Sequence, residues 1–264
     1  MKIRTISALV ALAIVLPFLY FGGQLFVIGV AVVSILAFIE VLNLPKSHKP
    51  IPVGPTIIAL AALLMLICTN FNISSTVEAS NYTRLIFLTL GLLVPVVFYK
   101  EDKYTTKDAF HLLGTVLFLA LAFNSFIYVR DGGLSLFLFL LLIPIATDTF
   151  AMIFGSMIGK HKMCPKISPK KSWEGSICGG ILGTIIPTVF HALVIGPVNF
   201  KIVLMIFILS CMGQIGDLVF SKIKRENGIK DFSNIMPGHG GILDRLDSAI
   251  VIFLSYIFLS SILF

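Results

Sequence analysis

The chain has 264 residues, 57% of them hydrophobic and 12% charged, with a formal net charge of +7. Soluble domains carry about a quarter charged residues, so this composition, with a mean hydropathy of +1.01, excludes an ordinary soluble protein and points to an integral membrane one. The positive surplus does not indicate nucleic acid: its bases gather in alternate loops, where they suit anionic lipid headgroups.

About 20 apolar residues are needed for a helix to cross about 30 Å of hydrocarbon. By that measure the sequence predicts about nine spans, near 5–22, 24–44, 52–69, 84–100, 111–129, 134–155, 175–196, 201–221 and 248–264. Lys2 and Arg4 precede the first span. No small-x-small cleavage site follows and a second span begins at once, so an uncleaved helix is expected rather than a signal peptide. Bases cluster at the N-terminus and around 46–49, 100–107, 160–171 and 222–245, whereas 70–83, 130–133 and 191–200 carry almost none. The positive-inside rule then places the N-terminus and both large charged loops in the cytoplasm. The expected architecture is an all-α polytopic membrane protein, a single membrane domain over 1–264. Residues 1–130 form scaffold-like helices, and 131–264 carry the catalytic helices and cytoplasmic loops.

Several features punctuate this scaffold. Glu40, near the end of the second span, is expected to reach the membrane interface. The segment 100–108 is charge-balanced and reads as solvated, and Asp131-Gly132-Gly133 reads as a turn. Pro144 and Asp148 predict a kinked or broken sixth span. Gly175, Gly179 and Gly183 recur every four residues on the seventh, a face that lets two helices approach closely and that also suits a homodimer. Cys68, Cys164, Cys178 and Cys211 form no CxxC pair and read as small buried hydrophobes.

Chemistry-bearing residues concentrate late in the chain. Between Asp217 and Asp247 stand the acids Asp217, Glu226, Asp231, Asp244 and Asp247 and the bases Lys222, Lys224, Arg225, Lys230 and Arg245. Charge beside a membrane costs free energy unless solvated, paired or used, so this cluster reads as a site. The eighth span is expected to continue as a helix through Arg225, which puts Asp217, Ser221, Lys224 and Arg225 on one face. Pro237-Gly238-His239-Gly240-Gly241 is a tight turn where backbone can approach a ligand; His239 fits a metal or acid–base role, or a hydrogen bond that fixes the turn. The ninth span, beginning near Ile242, presents Asp244, Asp247 and Ser248 together, and with Asp217 opposite them the carboxylates suit Mg²⁺. The loop 156–174 adds Ser168-Pro169-Lys170-Lys171-Ser172-Trp173-Glu174, whose paired lysines and hydroxyls suit a triphosphate.

These residues resemble the bacterial phosphatidate cytidylyltransferases. The family pattern Ser-x-apolar-Lys-Arg, Lys-Asp, His-Gly-Gly-apolar-x-Asp-Arg-apolar-Asp is met by Ser221 to Arg225, Lys230-Asp231 and His239 to Asp247. Upstream, Ser168 to Gly175 is similar to the family's Ser-Pro-Lys-Lys-Thr-x-Glu-Gly, with Ser at 172. Asp148 resembles the family's acid ahead of an aromatic and Gly-rich stretch. The specific likeness covers about residues 145–250.

The resemblance implies transfer of a cytidylyl group from CTP to phosphatidic acid at the cytoplasmic face of the cell membrane, with membrane lipid as surroundings. It implies Mg²⁺, alone or with a second, monovalent cation, on Asp217 and Asp244, with Asp247 and Asp148 as further ligands. Lys170, Lys171, Lys224, Arg225 and Arg245 would hold phosphates, and Ser172 and Ser221 would add hydrogen bonds. Ser168, Lys230, His239, Gly240 and Gly241 complete the implied substrate contacts. A transporter shares intramembrane acids and broken helices, but here the charges gather at one face and no inverted repeat is evident. A CTP-dependent lipid kinase is the nearer alternative. The phosphotransferases that consume the product need Asp-Gly-x-x-Ala-Arg, and Asp131-Gly132 lacks the Ala-Arg.

Overall fold

A computed structural model describes residues 2–45, 51–68, 79–100, 102–238 and 240–263. Apolar runs without water must satisfy every backbone N–H and C=O internally, and helices are the local solution. The elements are α1 (Lys2–Phe21), α2 (Gly23–Leu42), α3 (Val53–Cys68), α4 (Ala79–Leu93), α5 (Pro95–Phe98), α6 (Thr106–Asp131) and α7 (Leu134–Ile158). A hairpin of β1 (Lys162–Cys164) and β2 (Ser168–Ser172) follows, then α8 (Trp173–Leu182), α9 (Ile185–Phe190), α10 (Phe200–Glu226) and α11 (Leu243–Leu263).

The chain is an all-α polytopic membrane protein. Among the described residues, α2, α6, α7, the stretch Trp173–Ile195, α10 and α11 are long and apolar enough to cross a membrane. The other three expected spans fall on the shorter apolar helices Leu9–Phe21, Val53–Cys68 and Tyr82–Phe98. Two compact units divide the contacts: Met1–Ile127 with Phe232–Ile242, and Tyr128–Asp231 with Leu243–Phe264.

In the first unit, α3 packs between α2 and α4, burying Phe38, Leu63, Leu66, Leu88 and Leu92. Asn124 Nδ2 on α6 donates to Leu66 O at 3.2 Å, a polar tie where hydrocarbon offers no water as a competitor. The segment before α6 is more than a solvated link. Thr105 and Asp108 cap each other's backbone at 2.8 and 3.4 Å in a capping box. Tyr104 is buried and donates to Leu92 O at 2.9 Å; burial, then the Asp108 charge, pushes its phenol up to about 12. Glu40 departs further from expectation. Its side chain is 1% exposed and is bonded inside this unit instead of reaching the interface.

In the second unit α7 is one helix through Pro144, without the break that was one of the two expectations. A proline interior to a membrane helix is tolerated where neighbouring groups make good its lost hydrogen bond. The glycine face of α8 lies on α7, as its spacing predicted. A Cβ at Gly175 would lie 2.7 Å from Ala151 O, and one at Gly179 2.7 Å from the Ala151 Cβ and 2.8 Å from Thr147 O. This face is therefore buried within the chain. Thr147 and Ser210 share a hydrogen bond of 2.7 Å between α7 and α10. The four cysteines are free; Cys68 is exposed and the others are half-buried, so they are not the buried hydrophobes expected.

Because the neighbours of Gly179 are backbone and a short side chain, the space cannot open by a rotamer change. Gly179→Val should cost about 1–3 kcal/mol and lower the melting temperature in detergent micelles. Gly114, with nothing within 4 Å of an added Cβ, should instead accept Ala with a gain of up to about 1 kcal/mol.

Candidate active site

Asn199 Oδ1 accepts the Ile202 N–H at 3.0 Å and so caps the start of α10. The helix then runs 27 residues to Glu226, which carries the apolar stretch and the charged end on one rod. Gly213 and Gly216 let α11 come close: a Cβ at Gly216 would lie 2.8 Å from Val251 Cγ2 and 3.1 Å from Asp247 O. That approach sets Asp217, the next residue, beside the acidic end of α11.

Two ion pairs organise the cluster. Lys171 Nζ lies 2.5 Å from Asp217 Oδ2, and Lys224 Nζ 2.6 Å from Asp244 Oδ1. The second pair is withdrawn from water, its side chains 11% and 3% exposed. Ser221 Oγ donates to Asp217 Oδ1 at 3.3 Å, one turn along the helix. Asp247 Oδ1 accepts its neighbour's Ser248 N–H at 2.7 Å. Asp247 also stands within electrostatic reach of Asp217, Lys224 and Asp148. Asp148, on α7, feels Lys171 and Asp217. Residues expected to act together from four separate stretches thus converge within the second unit.

The hairpin decides how its lysines are used. Residues alternate sides along a strand; Lys170 is exposed, while Lys171 is half-buried against α10 and also donates to Gln214 O at 3.5 Å. Ser168, at the start of β2, pairs with Cys164 across the hairpin. Ser172 serves the fold as well as any ligand: it is buried and its hydroxyl accepts the Gly175 N–H at 3.2 Å, capping α8. Arg225 is exposed and ties the hairpin loop to the end of α10 through Ile167 O at 3.3 Å and Ile229 O at 3.0 Å. Lys230 and Arg245 are exposed.

Three polar ties here carry no signal in the sequence. His161 donates its backbone N–H to Glu174 at 3.1 Å, and its ring Nδ1 lies 2.6 Å from the same carboxylate, closing the hairpin at its base. Ser176 Oγ donates to Gln214 Oε1 across α8 and α10, and Gln214 Nε2 returns a bond to Ser176 O at 3.1 Å. The Thr147–Ser210 bond is the third. Their partners lie 13 to 63 residues apart, beyond the reach of helix or strand periodicity.

Gly240 and Gly241 belong to the first unit, where both are buried. Met236 and Gly240 exchange backbone hydrogen bonds of 3.0 and 3.1 Å, closing the turn. Gly238 and Gly240 hold φ of 77° and 84°, conformations that L side chains rarely adopt. His239 lies outside the described residues.

The donor set fits a hard divalent cation by its chemistry, since Asp148, Asp217, Asp244 and Asp247 offer carboxylate oxygens alone. Lys171 and Lys224 pair with two of those four acids. No three His, Cys, Asp or Glu side chains among the described residues form a ready-made metal cage. The fit is therefore one of ligand type and charge.

The cytidylyltransferase family model matches residues 2–263. The chain belongs to this family. Its similarity extends to phosphatidate cytidylyltransferases of Staphylococcus haemolyticus, 36% identical over 250 residues, and Staphylococcus epidermidis, 36% over 249. That of Staphylococcus aureus is 37% identical over 249 residues. Each alignment covers 94% of this chain and 94% of the relative. Family membership therefore takes in the N-terminal helices as well as the charged cluster, and the chain is a nucleotidyltransferase.

The two ion pairs differ in burial from the exposed Lys222–Glu226 contact at 3.4 Å. Asp244→Asn would take away the carboxylate that Lys224 meets at 2.6 Å and should cost about 3 kcal/mol. The double variant Lys224→Met/Asp244→Leu should be less destabilised than either single one. Lys222→Ala should change stability by less than about 1 kcal/mol. Denaturant titration of the detergent-solubilised protein measures all three.

Proposed function

We infer that the protein transfers the cytidylyl group of CTP to phosphatidic acid, forming CDP-diacylglycerol and pyrophosphate for phospholipid synthesis. The observation that carries this reading is the convergence of Lys171–Asp217 and Lys224–Asp244 with Asp148 and Asp247. The relatives' shared name, over 94% of both chains, supports the choice of substrates.

The lipid phosphate, a monoester with a second pKa near about 6, is largely dianionic at neutral pH. It is already a nucleophile and needs no strong base. An oxygen of the lipid phosphate attacks the α-phosphorus of CTP, a new P–O bond forms, and the bond to the β-phosphate breaks with pyrophosphate leaving. The barrier lies in bringing two anions together and in the charge growing on the leaving group, so positioning and cations carry the catalysis.

Lys171 and Lys224 are held by carboxylates within the cluster, and in this reading each meets a phosphate. Lys170, Arg225 and Arg245 are exposed and add charge for the triphosphate and the lipid headgroup, with Lys230 as a further contact. Ser221, bonded to Asp217, orients that carboxylate, and Ser168 and Ser172 lie on the same strand as Lys170 and Lys171. Asp217 and Asp244, with Asp247 and Asp148 near Asp217, would hold Mg²⁺, alone or with a monovalent cation. The metal supplies neutralisation of the reacting phosphates.

This reading includes nine spans and an N-terminus in the cytoplasm. The bases of the second half then face the compartment that holds CTP, while the acyl chains of the acceptor stay in hydrocarbon. A triphosphate drawn into the membrane would pay a large desolvation cost. A homodimer remains compatible with the reading, through a surface other than the buried glycine face of α8.

Purified protein in detergent should release pyrophosphate when given phosphatidic acid, CTP and Mg²⁺. Omitting lipid, adding EDTA or replacing CTP by ATP should each suppress the release. Asp217→Asn should lower turnover by about a hundredfold or more with its melting temperature retained. Full activity in that variant would remove Asp217 from the metal site, and lipid-independent release would remove the lipid acceptor.

A further inference from the structure

Glu40 is a buried charged side chain that neither the cluster nor the mechanism uses. It sits in the last turn of α2 with 1% exposure, among residues expected to form plain scaffold. A carboxylate so placed loses its hydration and persists only where the protein supplies donors. Its donors come from the other end of the sequence. Ser233 Oγ donates to Oε1 at 2.6 Å across 193 residues, and the Ile242 backbone N–H donates to the same oxygen at 2.8 Å across 202.

The segment so held is the turn carrying Pro237-Gly238-His239-Gly240-Gly241. Ser233 Oγ also accepts the Ile235 N–H at 3.3 Å, and Ser7 Oγ donates to Pro237 O at 3.0 Å. Gly241 faces the carboxylate so closely that an added Cβ would lie 2.7 Å from Glu40 Cδ and 2.8 Å from Oε2. Its backbone is not in the left-handed region, so a side chain at position 241 would first have to displace the Glu40 carboxylate. Ile242, whose N–H Glu40 holds, directly precedes Leu243, the first residue of the helix that bears Asp244 and Asp247.

We propose that Glu40 is a positioning residue for catalysis: its carboxylate fixes the backbone of the turn that ends at Ile242, the residue before α11 in the chain. The proposal rests on the cytidylyl-transfer reading. It places a determinant of activity in the N-terminal half, which otherwise supplies packing. Because the acceptor oxygen carries the role, an amide of the same size should largely replace it, whereas a methyl group should not.

The test compares native protein with Glu40→Ala, Glu40→Gln and Ser233→Ala in the same detergent and lipid. Glu40→Ala should lower kcat at least about tenfold, the scale of losing two hydrogen bonds to a charged group. Its KM values for CTP and phosphatidic acid should stay within about threefold. Glu40→Gln should recover most of kcat, and Ser233→Ala should lose about threefold. Hydrogen–deuterium exchange gives a readout independent of turnover: amides of 235–242 should exchange faster in Glu40→Ala while those of α10 keep their protection.

Native kcat in Glu40→Ala, equal loss in the Gln and Ala variants, or unchanged exchange at 235–242 would each overturn the proposal. Should Glu40→Ala not be recovered folded, native kcat and native exchange in Ser233→Ala would overturn it in turn. An inactive native protein would count against the reaction assigned above, and the exchange comparison would still decide the role of Glu40 in holding the turn.

Discussion

Charge on a long apolar helix must find its counter-charge inside the protein, and the second unit is arranged around that requirement. Asp217 and Asp244 stand on helices otherwise suited to hydrocarbon, and each meets a lysine from another part of the chain at 2.5 to 2.6 Å. A buried pair of this kind is weak evidence for stability, because desolvation consumes much of the Coulomb gain. Its effect on geometry is firmer. Lys171 ties the hairpin to α10, and Lys224 ties α10 to α11. Removing either lysine would leave a carboxylate in surroundings where it is costly.

Such short pairs demand that backbones come close, and glycine makes the room. Gly175 and Gly179 bring α8 onto α7, while Gly213 and Gly216 bring α11 onto α10. Lipid tails are as apolar as leucine, so association in a membrane depends on close packing and on polar bonds between helices. Thr147 with Ser210 and Ser176 with Gln214 supply such bonds from α7 and from α8 to α10. Small residues therefore set the distances, hydroxyl and amide groups fix the register, and the ionised groups follow at the helix ends.

What could be read from the sequence divides along this line. Helix positions were legible because apolar runs and loop charges are local. So were the continuation of α10 to Glu226, the start of α11 and the packing role of the α8 glycines. The unbroken path of α7 through Pro144 was not, since proline alone does not say whether neighbours make good its missing bond. The hairpin at Lys162–Ser172 was missed because its strands are short, lysine-rich and without alternation of apolar residues. Ser172 and Arg225 were read as ligands for substrate, yet each already serves a backbone group, a use invisible until the partner's position is known. Glu40 shows the limit most plainly, since its partners lie 193 and 202 residues away.

A cluster of acids held by lysines also suits a reaction between two anions. Bare cations near a membrane would attract lipid headgroups indiscriminately, and bare carboxylates would repel both CTP and phosphatidate. Pairing Asp217 and Asp244 with lysines offsets two of the cluster's four carboxylates while leaving each partner exchangeable, because a phosphate competes for an ammonium and a divalent cation for a carboxylate. The exchange need not move the helices. On the proposed reading it would replace one set of opposite charges by another at the same side chains, so the low-dielectric surroundings that strengthen the lysine–aspartate contacts would strengthen the substrate contacts too. The half-buried Lys171–Asp217 pair, with side chains 24% and 28% exposed, is then the more accessible point of entry, and the nearly dry Lys224–Asp244 pair the more rigid one.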